Sequence, residues 1–600
     1  MTKWICAALM LAVMIACNDN DQNKATDSKQ ADVQGGDKQL AQLMASYYRE
    51  RMDLFPIEAT WNGDTTHNDK FYPEFTNSHQ ARIKNFYGRT LASLQKINRE
   101  KLDENDKISY DFLKYYTEIL IHEFDYKFNL IPTDQMWGVH LALGQFASGT
   151  SVQPFKTVQD YRNWLKRIDA FDVWVDSAIV YFRKGIAENM VLPKSLVVKV
   201  IPEFEAMVTA TPQENLYYSP IKNLPTAFSD EDKKTLTADY ITAINEKVIP
   251  MNRRMAAFLK NEYLPKARLS SGYSSLPGGL DYYKLKVKLN TTTDKTPEEI
   301  YNIGLSEVAR IRKEMEAIKD STGFKGDLKA FFKYLQTDPK FMPYRTPKEV
   351  LDAFYKIHET MKPHLKEMFG HTPKTPFEIK QTEAFRQASA SAEYNASPDN
   401  IKPGVFYVPI LNATKFNTTS GMESLFLHEA IPGHHYQISL QRENKDLPAI
   451  RQHDVFSNAY IEGWALYCES LGKELGLYTD PYQHMGALGD EMHRAVRLVV
   501  DVAIHTKGMS REAAIKYMMD NEQISDQGAT AEIERYMSGG GQALGYKIGA
   551  LKIRELRAKY EKSLGSKFQL SDFHDEFLKD GSMPLTTLEN KMDRWAASVK

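Results

Sequence analysis

The segment "LFLHEAIPGHHYQ", residues 425–437, brings together one acidic side chain and three histidines, at His428, Glu429, His434 and His435. Its first two polar residues begin the pattern H-E-x-x-H, in which two histidines one helical turn apart bind zinc and the glutamate activates water. The register then fails, because the position four after His428 is Pro432, which offers no ligand atom. The chemistry of this segment therefore depends on how the backbone passes Pro432.

The dipeptide Pro432-Gly433 predicts that a helix breaks here, because proline lacks the N–H that would bond to the carbonyl of His428, and glycine adopts angles that other residues avoid. Looped-out residues would then return His434 to the position of the second ligand. His435 is the alternative, since i+7 lies on the same helical face, but two uninterrupted turns would separate it from His428 by about 10 Å. We therefore favour His434, and we expect His435 to point toward the cleft or into packing, as a supporting or substrate-binding group. A simpler interpretation is a helix end at Gly433, with the histidines bonding the last carbonyls.

A third ligand is available in "SNAYIEGWALYCESLGKEL", residues 457–475, where Glu462 and Glu469 stand seven apart on one helical face. We predict that Glu462 binds the metal with His428 and His434, which gives the two-histidine, one-carboxylate set of catalytic zinc sites. Glu469 is predicted to hold a ligand histidine through its other ring nitrogen. Each glutamate alone would also fit a solvated helix face, and the order of the residues favours the metal.

Two later segments could supply groups that contact the substrate. "RLVVDVAIHTKG", residues 497–508, places Asp501 and His505 four apart, and "IERYMSGGGQALGYKIG", residues 533–549, places Arg535 and Tyr546 on either side of a glycine loop. We predict Tyr546 and His505 as donors to a developing oxyanion, and Asp501 and Arg535 as supporting or substrate-binding groups. A buried Asp-His pair could instead be a core contact.

The first 17 residues read as an export signal rather than as part of the fold. Lys3 precedes an apolar run, residues 4–16, that is too short to cross a bilayer, and the run ends directly before Cys17. This start resembles a bacterial lipoprotein signal, in which Cys17 carries the lipid, and residues 18–38 would form a polar tether. The prediction is an exported lipoprotein anchored to the cell envelope, most simply the outer membrane. The alternative is an ordinary secretory signal.

Composition limits the other functions open to the chain. Its 600 residues carry 76 basic and 78 acidic side chains, a formal net charge of −2, so no overall field attracts nucleic acid. Of three cysteines, Cys6 and Cys17 lie in the signal, which leaves Cys468 without a disulfide partner. No later segment approaches the roughly 18 apolar residues of a membrane helix. We expect a body, residues 39–600, that an apolar core stabilises.

Helical periodicity dominates this body. Amphipathic patterns cover residues 40–55, 107–128, 158–190 and 296–318, and the last opens with Thr296 as a cap and a proline in the first turn. The predicted fold is therefore mainly α, and two helical halves could meet near residues 265–285.

Strand patterns are few. "AFRQASASAEYN", residues 384–395, and "GVFYVPIL", residues 404–411, predict a β-hairpin just before the histidines. "YYKLKVKLN", residues 282–290, alternates like a further strand. We therefore expect a small β-sheet beside the metal site.

Eight ordered motifs identify the chain as similar to the bacterial family known as domain of unknown function 885, among relatives of the gluzincin zinc metallopeptidases. They are "LPGGLDYY", "AFRQASASAEYN", "PGVFYVPI", "LHEAIPGHHYQ", "EGWALYCESLG", "RLVVDVAIHTKG", "GQALGYKIG" and "FHDEFLKDGSMPL". The resemblance covers about residues 40–597. It implies a large helical peptidase-like shell around a deep cleft, zinc at the histidine motif, and an edge strand that holds an extended peptide.

The sequence thus predicts a lipid-anchored zinc metallopeptidase that takes short or extended peptides and binds one Zn²⁺ per chain. Glu429 would act as the general base. A zinc hydrolase of another amide or an ester would share these residues, and iron-dependent oxygen chemistry would share the ligands. A binding lipoprotein with a vestigial site is the non-enzyme alternative, although such a site would not need Glu429.

Overall fold

The structure is a computed structural model that describes residues 37–383, 387, 391–397 and 400–599. The predicted signal with Cys17, most of the tether and part of the predicted strand 384–395 lie outside the described residues. Within them the chain forms helices α1 to α24. The first fourteen are Lys38–Leu54, Pro56–Trp61, Asn77–Leu94, Glu104–His122, Val139–Ala147, Val158–Ala187, Lys194–Glu205, Ser219–Lys222, Asp230–Ala243, Ile249–Phe258, Gly279–Thr291, Pro297–Ser321, Leu328–Thr337 and Pro347–Met368. The last ten are Met422–Glu429, His434–Glu443, Ala449–Gln452, Asn458–Glu469, Pro481–Thr506, Arg511–Asn521, Asp526–Ser538, Leu544–Leu564, Leu570–Leu578 and Leu585–Val599.

The predicted helices form where local signals favour them. Helix α1 ends at Leu54, before Pro56 begins α2. Helix α12 begins with a reciprocal cap, in which Thr296 Oγ1 accepts from the Glu299 N–H at 3.2 Å and the Glu299 carboxylate accepts from the Thr296 N–H at 2.7 Å. The prediction of a mainly α fold is confirmed.

The strand predicted at residues 282–290 is wrong, because this segment lies inside α11. Its buried residues are Gly279, Tyr283, Val287 and Thr291, and their spacing of four is that of a helical face. Lys284 and Lys288 alternate with apolar residues in the sequence, yet the same spacing places them on the exposed face of the helix. Lys286, which completes the period-two pattern, lies on the other side of the helix, where its Nζ is 2.8 Å from Glu123 Oε1.

A three-stranded sheet packs beside the histidine helices. Strands β1 (Phe377–Gln381), β2 (Glu393–Asn395) and β3 (Gly404–Val408) lie in the order β1-β3-β2, with β1 parallel and β2 antiparallel to β3. Tyr394 faces Phe406 in the β2–β3 register. The predicted antiparallel pairing is confirmed for Glu393–Asn395, and among the described strands β2 stands at an edge of the sheet.

The apolar core divides into two large clusters and a smaller one. The first cluster joins α6, α7 and α9–α13 to α19, and the second joins the sheet and α14 to α15, α18 and α22–α24. A third cluster holds α1, α3 and α4 together. Helix α19 lies along α12, and α18 lies along α22. The histidine helices thus sit where the second cluster meets α19, and the division near residues 265–285 stays a prediction.

Across the described part of the chain, no helix has the length and apolar character needed to cross a bilayer.

Candidate metal centre

The helix breaks where the sequence predicts, since α15 ends at Glu429 and α16 begins at His434. Gly433 folds back against the end of α15 so closely that a Cβ would lie 1.9 Å from the His428 carbonyl oxygen. Only glycine fits there. Trp464 on α18 then donates its indole N–H to the Pro432 carbonyl oxygen at 2.9 Å. These contacts fix where the first turn of α16 begins.

The break brings three predicted ligands together. The Nε2 atoms of His428 and His434 each lie 3.5 Å from the same oxygen, Glu462 Oε2. One ligand atom from each residue falls within a cluster 4.8 Å across, and the two imidazole planes cross at 89°. Ligand atoms about 2.0–2.1 Å from a tetrahedral zinc are about 3.3 Å apart, so the observed spacing suits one ion.

The chemistry of the donor set also fits a cation. Glu462 Oε2 is buried and has no hydrogen-bond partner among the described residues. Burial alone would raise the pKa of Glu462, yet His428 and His434 hold it well below the usual value. Burial likewise opposes charge on His428, but Glu462 and Glu469 raise its pKa to about 10. The surrounding carboxylates therefore favour positive charge between the two histidines.

Glu469 lies behind the first ligand. Its Oε1 accepts from His428 Nδ1 at 2.7 Å, which leaves Nε2 of the same ring to face Glu462. Arg494 Nη2 lies 3.7 Å from Glu469 Oε1. The sequence analysis predicts the contact of Glu469 with His428 but not that with Arg494. Two arginines, Arg494 and Arg497, in a largely apolar stretch of α19 are the feature that could have indicated it.

His435 points away from the ligand cluster. Its Nδ1 lies 3.0 Å from the Tyr394 hydroxyl on β2, and its ring lies 5.0 Å from that of Phe377 on β1. Burial lowers the pKa of His435 to about 4, so the ring is neutral near pH 7. The structure thus places His434, and not His435, with His428 and Glu462.

Two further predicted groups border the cluster. Glu429 is the last residue of α15, and its pKa is raised by burial, against the lowering effect of His428 and His434. Tyr546 lies on α22 with its ring 4.7 Å from the Arg497 guanidinium carbon. Burial, with the Glu462 charge as the next cause, raises the pKa of Tyr546 to about 12. The pKa of Glu429 therefore responds to His428 and His434, and that of Tyr546 responds to Glu462.

A glycine contact between α18 and α22 brings Tyr546 towards Glu462. A Cβ on Gly463 would lie 2.6 Å from Gly549 Cα, and one on Gly549 would lie 1.9 Å from the Ala459 carbonyl oxygen. The two backbones therefore touch one residue beyond Glu462.

His505 does not join the site. It is fully buried, its Nδ1 accepts from the Tyr273 N–H at 3.1 Å, and its Nε2 donates to the Tyr536 carbonyl oxygen at 2.9 Å. With both ring nitrogens engaged, it cannot donate to a substrate, which corrects the prediction from sequence. Asp501 is also buried and accepts from the Tyr283 hydroxyl at 2.6 Å, so both residues serve the core.

Arg535 lies at the glycine loop rather than among the ligands. Its guanidinium donates to Gln542 Oε1 at 2.9 Å and to Glu532 Oε2 at 3.2 Å. Glu532 also accepts from Arg497 at 3.1 Å. Arg535 thereby links the loop before Tyr546 to α19.

Two solved structures share this fold. A candidate lipoprotein from Colwellia psychrerythraea is 26% identical, with a TM-score of 0.85 over 93% of this chain and 99% of its own. A candidate lipoprotein of unknown function from Shewanella oneidensis is 19% identical, with a TM-score of 0.71 over 92% of this chain and 99% of its own. A carboxypeptidase from Pyrococcus furiosus reaches a TM-score of only 0.29 at 11% identity, which supports no inference.

The family follows from the sequence profile described as bacterial protein of unknown function (DUF885), which matches residues 56–592. The chain belongs to this family. No curated protein matches the sequence.

Proposed function

We propose that the chain is a zinc-dependent hydrolase that cleaves peptide bonds, with His428, His434 and Glu462 as the metal ligands. The observation that carries this proposal is the convergence of two imidazole Nε2 atoms on one buried carboxylate oxygen that lacks any other partner among the described residues. Three protein ligands leave the fourth zinc position open, as catalytic sites require. A structural site would instead be closed by a fourth side chain.

Zinc bound here would supply a Lewis acid that makes water acidic and polarises a carbonyl oxygen. Glu429 follows His428 directly in the chain, at the end of α15, and is the proposed base. Its carboxylate takes a proton from the attacking water and later gives that proton to the leaving nitrogen. Glu469 keeps the His428 ring oriented through its Nδ1.

Tyr546 is the side chain that would donate to the substrate's carbonyl oxygen as negative charge develops there. The Glu462 charge contributes to the raised pKa of Tyr546, and the Arg497 guanidinium carbon lies 4.7 Å from its ring. This role replaces the shared one predicted for Tyr546 and His505.

The sheet favours an extended peptide as the substrate. Strand β2 stands at the sheet edge, and its Tyr394 hydroxyl lies 3.0 Å from His435, the residue after a ligand. A peptide that extends along this edge would pass the ligands with its backbone exposed to them.

Export and lipid anchoring at Cys17 complete the proposal. The two solved relatives are described as candidate lipoproteins, which supports the interpretation of residues 1–17 as a lipoprotein signal. The outer membrane is the proposed location.

The test is incubation of the zinc-loaded protein with a mixed peptide library, with cleavage read by mass spectrometry. We expect cleavage by the wild type and none by Glu429→Gln, while both hold about one zinc per chain because Glu429 is not a ligand. Cleavage by Glu429→Gln at the wild-type rate would remove the proposed base. A library left intact by the wild type, with ester substrates hydrolysed, would assign the site to another bond.

A further inference from the structure

A cavity of about 350 Å³ lies among the N-terminal helices and α11, away from the metal centre. None of its lining residues belongs to the metal centre. Eight of the fifteen residues that line it are aromatic, and six of these carry the argument: Phe71, Phe75, Tyr126, Phe128, Trp174 and Tyr282. Two carboxylates, Glu74 and Glu123, also line it.

The rings are held in place by one another. Tyr282 stacks on Phe128 with ring centroids 3.6 Å apart, and Tyr126 meets Tyr282 edge-on at 5.4 Å. Phe75 meets Trp174 edge-on at 5.5 Å. Because each ring is packed against a neighbour, the aromatic walls exist before any ligand binds.

Glu74 has a carboxylate for which the described residues show no hydrogen bond and no ion pair. The positive charge of Arg51 lowers the pKa of Glu74, but the Arg51 guanidinium donates two hydrogen bonds of 2.7 Å to Glu58 instead. Glu123, by contrast, is neutralised by Lys286 at 2.8 Å. Burial, with the Glu58 charge as the next cause, raises the pKa of Glu74 to about 8. The Glu74 carboxylate is therefore an acceptor without a protein partner among the described residues, and it lines the cavity.

We infer that this cavity binds a small organic cation, an alkylammonium group, between its aromatic rings and the Glu74 carboxylate. Ring faces attract a cation electrostatically, most strongly where water is excluded, and the carboxylate supplies the opposite charge. A neutral apolar ligand would leave Glu74 unpaired, and an anion would be repelled. The volume suits a small ligand.

The ammonium group could come from a free amine or from the lysine side chain of a peptide. Choline and the peptide Gly-Lys-Gly represent these sources. Their neutral counterparts are 3,3-dimethylbutan-1-ol and Gly-norleucine-Gly. Titration calorimetry on the full-length protein, at about pH 8.5 so that Glu74 ionises readily, measures all four.

We expect at least one cation to bind at least about tenfold more tightly than its neutral counterpart. Binding by choline alone would identify a free amine as the ligand, and binding by Gly-Lys-Gly alone would identify a peptide. Equal affinity of each cation and its counterpart, or no binding by either cation, would overturn the inference.

Variants locate the binding. Glu74→Gln and Tyr126→Leu should each weaken binding of the cation about tenfold or more, because the first removes the charge and the second a ring. Glu231→Gln, at an exposed position outside the cavity, is the matched control and should bind as the wild type does. Wild-type affinity in Glu74→Gln would overturn the inference. Zinc content should be the same in all four proteins, so this test is independent of the proposed hydrolase.

Discussion

The Trp464 indole N–H donates to the Pro432 carbonyl oxygen at 2.9 Å, and this bond joins α18 to the loop between α15 and α16. Trp464 stands two residues after Glu462, and Pro432 stands two residues before His434. One buried hydrogen bond therefore relates the positions of two proposed metal ligands, which come from different helices.

Trp464→Phe should lower zinc affinity by about 10- to 100-fold, because the loop that positions His434 loses its donor while every ligand remains. Competition with a chelator measures the change. Tyr467→Phe, on the same helix, is the control, since it loses a buried hydrogen bond to His574 instead. Equal zinc affinity in the two variants would show that the Trp464 bond does not position the ligand.

His434→Ala and His435→Ala should differ in metal content. His434→Ala removes a ligand and should lose the zinc, whereas His435→Ala removes a ring that contacts Tyr394 and should keep most of it. Elemental analysis of the two purified variants, side by side with the wild type, decides the matter. Zinc kept in His434→Ala but lost in His435→Ala would reverse the assignment.

Asp501 gives the stability a pH dependence. Burial raises the pKa of its carboxyl from 3.8 to about 7. The folded chain therefore favours the protonated carboxyl. The contribution of Asp501 to the free energy of unfolding is fully present below about pH 3.8 and is lost as the pH rises to about 7. Asp501→Asn does not lose stability in this way, because its amide does not ionise. Relative to the wild type, it should gain about 1.4 kcal/mol of stability per pH unit across that window.

Melting temperatures of Asp501→Asn and the wild type, compared at about pH 5 and about pH 8, measure this difference. The exposed Asp239→Asn on α9 is the control and should follow the wild type at both values. A constant gap between Asp501→Asn and the wild type would contradict the raised pKa of Asp501.

Cys17→Ser should release the protein from membranes, because the lipid on Cys17 is its proposed anchor. Partitioning into detergent, followed by immunoblot of both phases, measures this. Cys468→Ser, at the buried cysteine of the folded body, is the control and should stay in the detergent phase. Detergent partitioning of Cys17→Ser would show that the signal is of another kind.

The sequence predicts those helix ends that depend on residues next to one another in the chain. Pro432 and Gly433 predicted the break between α15 and α16, and Thr296 predicted the start of α12. Residues 282–290 give a wrong prediction because lysines at every second position imitate strand alternation, while the buried residues follow the helical spacing of four. The role of His505 was misjudged because its partner, the Tyr536 carbonyl, comes from a separate helix. Such partners depend on tertiary packing, which no short motif encodes.

The backbone contact of Gly463 with Gly549 limits how the molecule can open. A shift of α18 along α22 would push neighbouring side chains into a space that has no room for one methyl group. We therefore expect the two helices, with Glu462 and Tyr546, to travel as one rigid unit. For the proposed peptide, we therefore expect access to depend on the opposite wall, where the strands contact His435 through Phe377 and Tyr394.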